Sequence, residues 1–290
     1  MHKRIGLIAG VAALGLAAVA GCTSSGGSGN AGAGSANGGS GGSGAVQLSP
    51  AGYIKAALTK ASNVKTVHIS GTMTSGAFSG TMSGQEQFGS DLKVAMTLNM
   101  SQMDMTEVMI GDTVYLKMAQ LSSMLGGKPW AEFKLSSLGG SGSAVQSLID
   151  SAKNTDPTQQ LQPLLASGDL HKVGTETVDG VQADHYAGTV DPATAFDSSA
   201  AAKNLTPDQI AQIKSLMKSS NISTETIDAW VATSTGLPVR ETITATASTG
   251  AFKVDMHMSQ WGQPVTISAP PADQVTDISS EMGNLGGSTS

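Results

Sequence analysis

Residues 92–118 read LKVAMTLNMSQMDMTEVMIGDTVYLKM, and the alternation in this stretch decides the fold. Leu92, Val94, Met96, Leu98 and Met100 alternate with smaller or polar residues, so the apolar side chains fall on one side of a pleated strand. Two further strands are predicted from Met103 to Ile110 and from Thr113 to Met118. They are joined by Gly111-Asp112, a tight-turn signal. The three together form an antiparallel meander.

Working outward, Val67, Ile69 and Met73 alternate with His68, Ser70 and Thr72, which extends the strand pattern upstream. Before it, Tyr53, Ile54, Ala57, Leu58 and Ala61 recur at helical spacing within Pro50 to Ser62. Downstream, Val145, Leu148, Ile149 and Ala152 predict a second helix. Asp156-Pro157 with Gln159 supplies a cap and a first-turn proline, and Pro163 is expected to bend or shorten the helix that this cap begins. Strands return at His171 to Val178 and Val181 to Val190 across Asp179-Gly180. A third helix is signalled by Thr206-Pro207-Asp208-Gln209, with Ile210, Ile213, Leu216 and Met217 on one face. The last strands cover about Thr224 to Thr233, Val239 to Ala247 and Phe252 to Met258. Strands, helices and strands again, with short turns, indicate an α+β fold: a curved antiparallel β-sheet with helices packed on one face.

The chain opens with His2, Lys3 and Arg4, followed by an uninterrupted apolar run from Ile5 to Val19, the layout of a secretion signal. The run is shorter than the roughly 20 apolar residues of a spanning helix. Val19-Ala20-Gly21-Cys22 is similar to the lipobox of bacterial lipoproteins, and Cys22 is the only cysteine in the chain. Residues 1–21 are therefore expected to be a removed signal peptide, and Cys22 to carry a covalent diacylglycerol, with an N-acyl chain as the further modification. Two or more chains give stable anchoring where one does not. The expected location is the extracytoplasmic face of the cell membrane.

Residues 22–44 come next as lipidated cysteine and tether, because nearly every residue from Thr23 to Gly44 is Gly, Ser, Ala or Asn. Such a coil reaches about 25 Å. A Gly-x-Ser-x-Gly match at Gly38-Gly39-Ser40-Gly41-Gly42 lies inside it, without the strand and helix that a nucleophile elbow requires. Residues 45–278 form the folded domain, and 279–290 return to Gly and Ser as a flexible tail. The formal charge is −6, and it becomes −8 once Lys3 and Arg4 leave with the signal. That balance argues against nucleic acid and against a basic patch for anionic headgroups.

Several segments together resemble a known family: Lys128-Pro129-Trp130; Val178-Asp179-Gly180-Val181 leading to His185-Tyr186 and Val190-Asp191; and Ala229-Trp230-Val231 leading to Gly236-Leu237-Pro238. Trp261-Gly262-Gln263-Pro264-Val265 and Ala269-Pro270-Pro271-Ala272-Asp273 complete the set. They resemble the actinobacterial LppX/LprG-type lipoproteins, which are LolA-like, over most of Ala45 to Ile278. The resemblance implies a half-barrel sheet wrapped around helices on its concave face. It also implies an apolar cavity that in some members carries lipids or lipoglycans, with an envelope transporter as a further partner.

For catalysis, titratable groups must converge, yet His68, His171, His185 and His257 fall in four separate strand candidates. No His-Glu-x-x-His, Cys-x-x-Cys or phosphate-loop pattern occurs. No enzyme activity, metal or cofactor is expected. Asn99-Met100-Ser101, Asn204-Leu205-Thr206 and Asn221-Ile222-Ser223 match glycan acceptors but stand behind a bacterial lipobox. The informative bias is 14 methionines against 11 aromatic residues, concentrated in strand candidates that ordinarily favour β-branched and aromatic side chains. Methionine can repack around ligands of varied shape. Val94, Met96, Leu98 and Met100, with Val254, Met256 and Met258, are thus the candidate lining of a lipid cavity. The alternative is a non-enzymatic envelope sensor or interaction lipoprotein that uses the same fold without cargo.

Replacing Cys22→Ala is expected to leave the domain folded and to abolish membrane attachment, because the anchor is covalent through that thiol. Cell fractionation with radiolabelled acyl donor checks this, and retention of an acylated mutant at the membrane would refute it.

Overall fold

The computed structural model describes residues 48–76, 78–101, 103–137, 161–191, 224–247 and 250–280, with single positions 196, 207, 210, 211, 214 and 215. The signal peptide, Cys22, the tether, the helix expected over Val145 to Ala152, the cap at Asp156 and most of the tail lie outside the described residues. Of the third expected helix, Pro207, Ile210, Ala211, Lys214 and Ser215 are described, and each is helical.

Helix α1 (Pro50–Ala61) begins where Ser49 Oγ accepts a hydrogen bond from the Gly52 amide at 3.2 Å and Pro50 occupies the first turn. Its Ile54, Ala57, Leu58 and Ala61 are buried, the stripe that their spacing predicts. Helix α2 (Gln162–Ala166) is short and carries Pro163 in its first turn, where the missing amide costs no helical hydrogen bond; the segment from Asp156 that leads to it lies outside the described residues.

Among the described residues, twelve strands make one sheet. They are β1 (Thr66–Ser75), β2 (Phe78–Gln87), β3 (Lys93–Met100), β4 (Met103–Ile110), β5 (Thr113–Met118) and β6 (Trp130–Lys134) in the first half. The second half holds β7 (His171–Val178), β8 (Val181–Val190), β9 (Glu225–Ala232), β10 (Pro238–Ala247), β11 (Gly250–Ser259) and β12 (Val275–Asp277). The spatial order is β12-β6-β5-β4-β3-β2-β1-β11-β10-β9-β8-β7. Two antiparallel meanders, β1 to β6 and β7 to β11, are thus joined by the pairing of β1 with β11. The sheet is curved and unclosed. One pair departs from the antiparallel expectation: β12 runs parallel to β6.

Turn chemistry explains the hairpins. Asp179 and Gly180 both have positive φ, 50° and 81°, as a primed two-residue turn between β7 and β8 requires. The sequence of β2, FSGTMSGQEQ, does not read as a strand, because it has no Val, Ile or Tyr and two interior glycines. Its neighbours supply the edges on both sides that hold it in the ladder.

The largest core cluster lies where α1 and α2 meet β8 and β9: Ile54, Leu58, Leu161, Leu164, Tyr186 and Ile227. Gly188 makes room for this packing, since a Cβ there would run into the Ser167 side chain and come within 2.9 Å of Leu164 Cδ1. Gly71 at the β1–β11 junction is equally constrained. A Cβ on it would collide with the Asp255 carbonyl oxygen and approach Met256 Cα to 3.1 Å.

Gly71→Ala should therefore force a backbone shift, costing about 1–3 kcal/mol. Urea unfolding monitored by tryptophan fluorescence would show a lowered midpoint with an unchanged slope; an unchanged midpoint would mean that the two strands separate freely.

Candidate functional site: a methionine-lined sheet face

Directly paired residues in an antiparallel ladder share a face, so the register assigns every side chain. Met258, Met256 and Val254 of β11 pair with Ile69, Gly71 and Met73 of β1. Those three pair in turn with Gly84, Met82 and Gly80 of β2. Gly84, Met82 and Gly80 then meet Met96, Leu98 and Met100 of β3, while Val94 meets Glu86. All seven residues predicted from the sequence as a lining set thus stand on one face, on strands separated by β1 and β2. The face continues through Met103, Met105 and Met109 of β4 and Met118 of β5. Ten of the 14 methionines in the chain share it. In the other direction it runs through Ile243, Ile227 and Tyr186 to the surface that α1 and α2 cover.

The seven differ in burial. Met256 and Met258 are packed with Val67, Ile69 and Phe88, and Val254 leans on that cluster. Leu98 packs against Met105, Leu116, Leu121 and Leu125. Val94, Met96 and Met100 are half-buried, as are Met73 and Met82 beside them. Gly71, Gly80 and Gly84 sit among these methionines and place bare backbone between their flexible side chains. The middle of the face, over β1 to β3, is therefore apolar and incompletely filled. A long unbranched ligand could lie there.

From β9 across to β6, four carboxyl groups share this face. Glu241 of β10 stands between Ala229 and Met256, and only 2% of it is exposed. Burial pushes its carboxyl up to about 8, and among the described residues Oε1 has no hydrogen-bond partner. Glu86, between Val67 and Val94, is pushed up to about 7 by the same desolvation. Glu107 and Glu225 are raised for the same reason. From β9 across to β6, the paired positions on this face hold no Lys, Arg or His.

The opposite face carries a polar network that chain separation conceals. Trp230 Nε1 donates to Glu176 Oε1 at 2.7 Å, and its ring stacks on His185 at 4.2 Å between centroids. The Arg240 guanidinium lies 4.5 Å over the same ring and donates two hydrogen bonds to Asp255, at 2.8 and 2.7 Å. His185 contacts Glu176 and Asp228 at 3.0 and 2.7 Å, and His257 faces Asp179 and Asp255. Contrary to the sequence expectation, two of the histidines thus converge with carboxylates. Their partners belong to a cross-strand ladder that ties β7 through β11. Among the described residues, no group of three or more His, Cys, Asp or Glu is placed to hold a metal ion. Among the same residues, no helix is long and apolar enough to cross a membrane.

No family model matches the chain. It is 36% identical over 184 residues to an uncharacterized 31.2 kDa protein of Streptomyces griseus, spanning 61% of this chain and 57% of that one. It is 25% identical over 179 residues to a candidate lipoprotein of Streptomyces coelicolor, spanning 60% of this chain and 52% of that one. The chain thus matches about half the length of these curated relatives. Among solved structures it is similar to the Mycobacterium tuberculosis lipoprotein LppX, at 16% identity and a TM-score of 0.49, over 76% of this chain and 98% of that one. LprF from Mycobacterium bovis shows 14% identity and a TM-score of 0.47, over 76% and 96%. The first of these is of the type that the sequence motifs resemble.

The raised carboxyls make stability depend on pH. Their folded values lie above the ordinary 4.5, so between about pH 4.5 and 8 the folded chain holds protons that the unfolded chain has released. Their contribution is fully present below about 4.5 and is lost as the pH rises through 7 to 8. The melting temperature is expected to fall by several degrees between about pH 5.5 and pH 8.5, and Glu241→Gln should flatten much of that slope. A scanning-calorimetry series in matched ionic strength tests it; a flat wild-type profile would show these carboxyls to be freely hydrated.

Proposed function

We propose that this chain is a membrane-anchored extracytoplasmic lipoprotein that holds the acyl chains of a lipid or lipoglycan on its methionine-lined face. It carries or presents them in the cell envelope, tethered through diacylglycerol on Cys22 and working with an envelope transporter that delivers or collects the cargo. The observation that supports it is the continuity of the methionine face from β11 to β5, with its half-buried middle over β1 to β3. Methionine adds apolar area without fixing its shape, which suits a surface that must accept chains of varied length. A protein that merely needed a core would gain definition from the branched and aromatic side chains that strands favour.

Two methionines on the same face should respond differently to added bulk. Met96 is half-buried beside Gly84, so Met96→Trp should keep the melting temperature of delipidated protein within a few degrees and strongly reduce uptake of a fluorescent fatty-acyl probe. Met256 is packed against Val67 and Ile69, so Met256→Trp should overpack and lose about 1–3 kcal/mol of stability. If Met96→Trp binds the probe as wild type does, acyl chains do not use this face, and a sensor or interaction role without cargo becomes the better account.

A further inference from the structure

We propose that Glu241 is the polar anchor of this face, and that the ligand seated there carries an uncharged hydrogen-bond-donating head, a hydroxyl, whereas anionic heads are turned away. The inference rests on the acyl-chain reading above and specifies what lies at the other end of the chain. Glu241 occupies the boundary between the part of the face that α1 and α2 cover and the methionine part. The row Glu241, Met256, Gly71, Met82, Leu98 runs straight across five strands. At about 4.8 Å per strand it spans roughly 19 Å, a length that a long alkyl chain can follow. Its polar end is a carboxyl that is 2% exposed, with Oε1 lacking any partner among the described residues.

A buried acceptor without a donor is costly, and native structures almost always satisfy it. A ligand hydroxyl would supply that donor once the flexible Met256 side chain, which is packed at the position paired with Glu241, swings aside. A cationic head would do so only by burying an ion pair in apolar surroundings, where desolvation of both charges opposes the attraction. An anionic head fares worse. It would bury its charge on a face whose paired positions from β9 to β6 hold no basic side chain to offset it. Burial keeps the Glu241 carboxyl protonated near neutral pH, which adds a donor of its own toward a hydroxyl oxygen.

The test uses the full-length chain, delipidated in detergent, and three pyrene-labelled probes with the same alkyl chain, ending in a hydroxyl, a methyl ether or a carboxylate. Wild type should bind the alcohol roughly five- to tenfold more tightly than the ether, the worth of one hydrogen bond, and the carboxylate most weakly. Glu241→Met should bring alcohol and ether together while keeping the ether affinity. Equal affinity for alcohol and ether in the wild type would overturn the anchor, whether or not Glu241→Met folds; so would a carboxylate that binds as well as the alcohol. Both outcomes leave the acyl-chain reading standing. Failure of all three probes to bind would instead sink that reading and the anchor with it.

Discussion

The pairing of β1 with β11 is the contact on which the rest of the sheet depends. It joins the first strand of one meander to the last strand of the other, and eight residue pairs, from His68 with Ser259 to Ser75 with Phe252, fix its register. Because side chains alternate with period two, this one register decides which side of both meanders faces α1 and α2. A slip of β11 by one residue would exchange Val254, Met256 and Met258 for Lys253, Asp255 and His257 on the side that Ile69 and Met73 occupy. The bare Gly71 backbone opposes such a slip, since only glycine tolerates the closeness of Asp255 and Met256.

Burial is distributed unevenly along the face that this register creates. Over β8 and β9 it is sealed by α1 and α2, with Tyr53 stacked on Tyr186 at 5.8 Å between ring centroids. Over β4 to β6 it is closed by Leu121 and Leu125, which come after β5 and pack on Met105 and Leu116. Between these two filled regions lies the stretch over β1 to β3, where glycines and half-buried methionines alternate. A fully buried aliphatic side chain contributes about 1.5–3 kcal/mol. The filled regions hold most of that stabilisation, so the middle can remain adaptable while the sheet stays folded. With Cys22 the only thiol, no disulfide within the chain shares that work.

How much of the fold can be read from sequence depends on which signals are local. Strands β4, β5, β7 and β8 have the predicted bounds, because alternation and the Gly111-Asp112 and Asp179-Gly180 turns are encoded within a few residues. The common face of β3 and β11 is legible as parity within each strand. That both strands present the same side to each other depends on β1 and β2 between them. The strand that sequence misses, β2, contributes Met82, Gly80, Gly84 and Glu86 to the site and has too little β-propensity to announce itself. The carboxyls are invisible for a different reason. A glutamate alternating with apolar residues looks like an exposed position until the register shows which side it occupies. The Trp230 network is hidden likewise, being assembled from His185, Arg240 and Asp255 on three other strands.

The bulge at the start of β10 shows how the two faces are set together. Pro238 pairs with Val231, whereas Arg240 pairs with Trp230 and Glu241 with Ala229, so Val239 is an extra residue that reverses the parity of everything after it. Without it, Arg240 would join Pro238 on the inner face and Glu241 would turn outward. With it, the arginine reaches Asp255 and the Trp230 ring on the outer face, where its charge is paired and stacked. The glutamate meanwhile enters the apolar side unpaired. A regular strand would place an always-charged guanidinium beside Ala229 on the apolar side, away from the Asp255 carboxylate that now pairs with it. One inserted residue thus secures the outer ladder and delivers the inner carboxyl, so both depend on the same local irregularity. The polar group beneath the methionines is a product of the backbone design rather than a stray substitution on the surface.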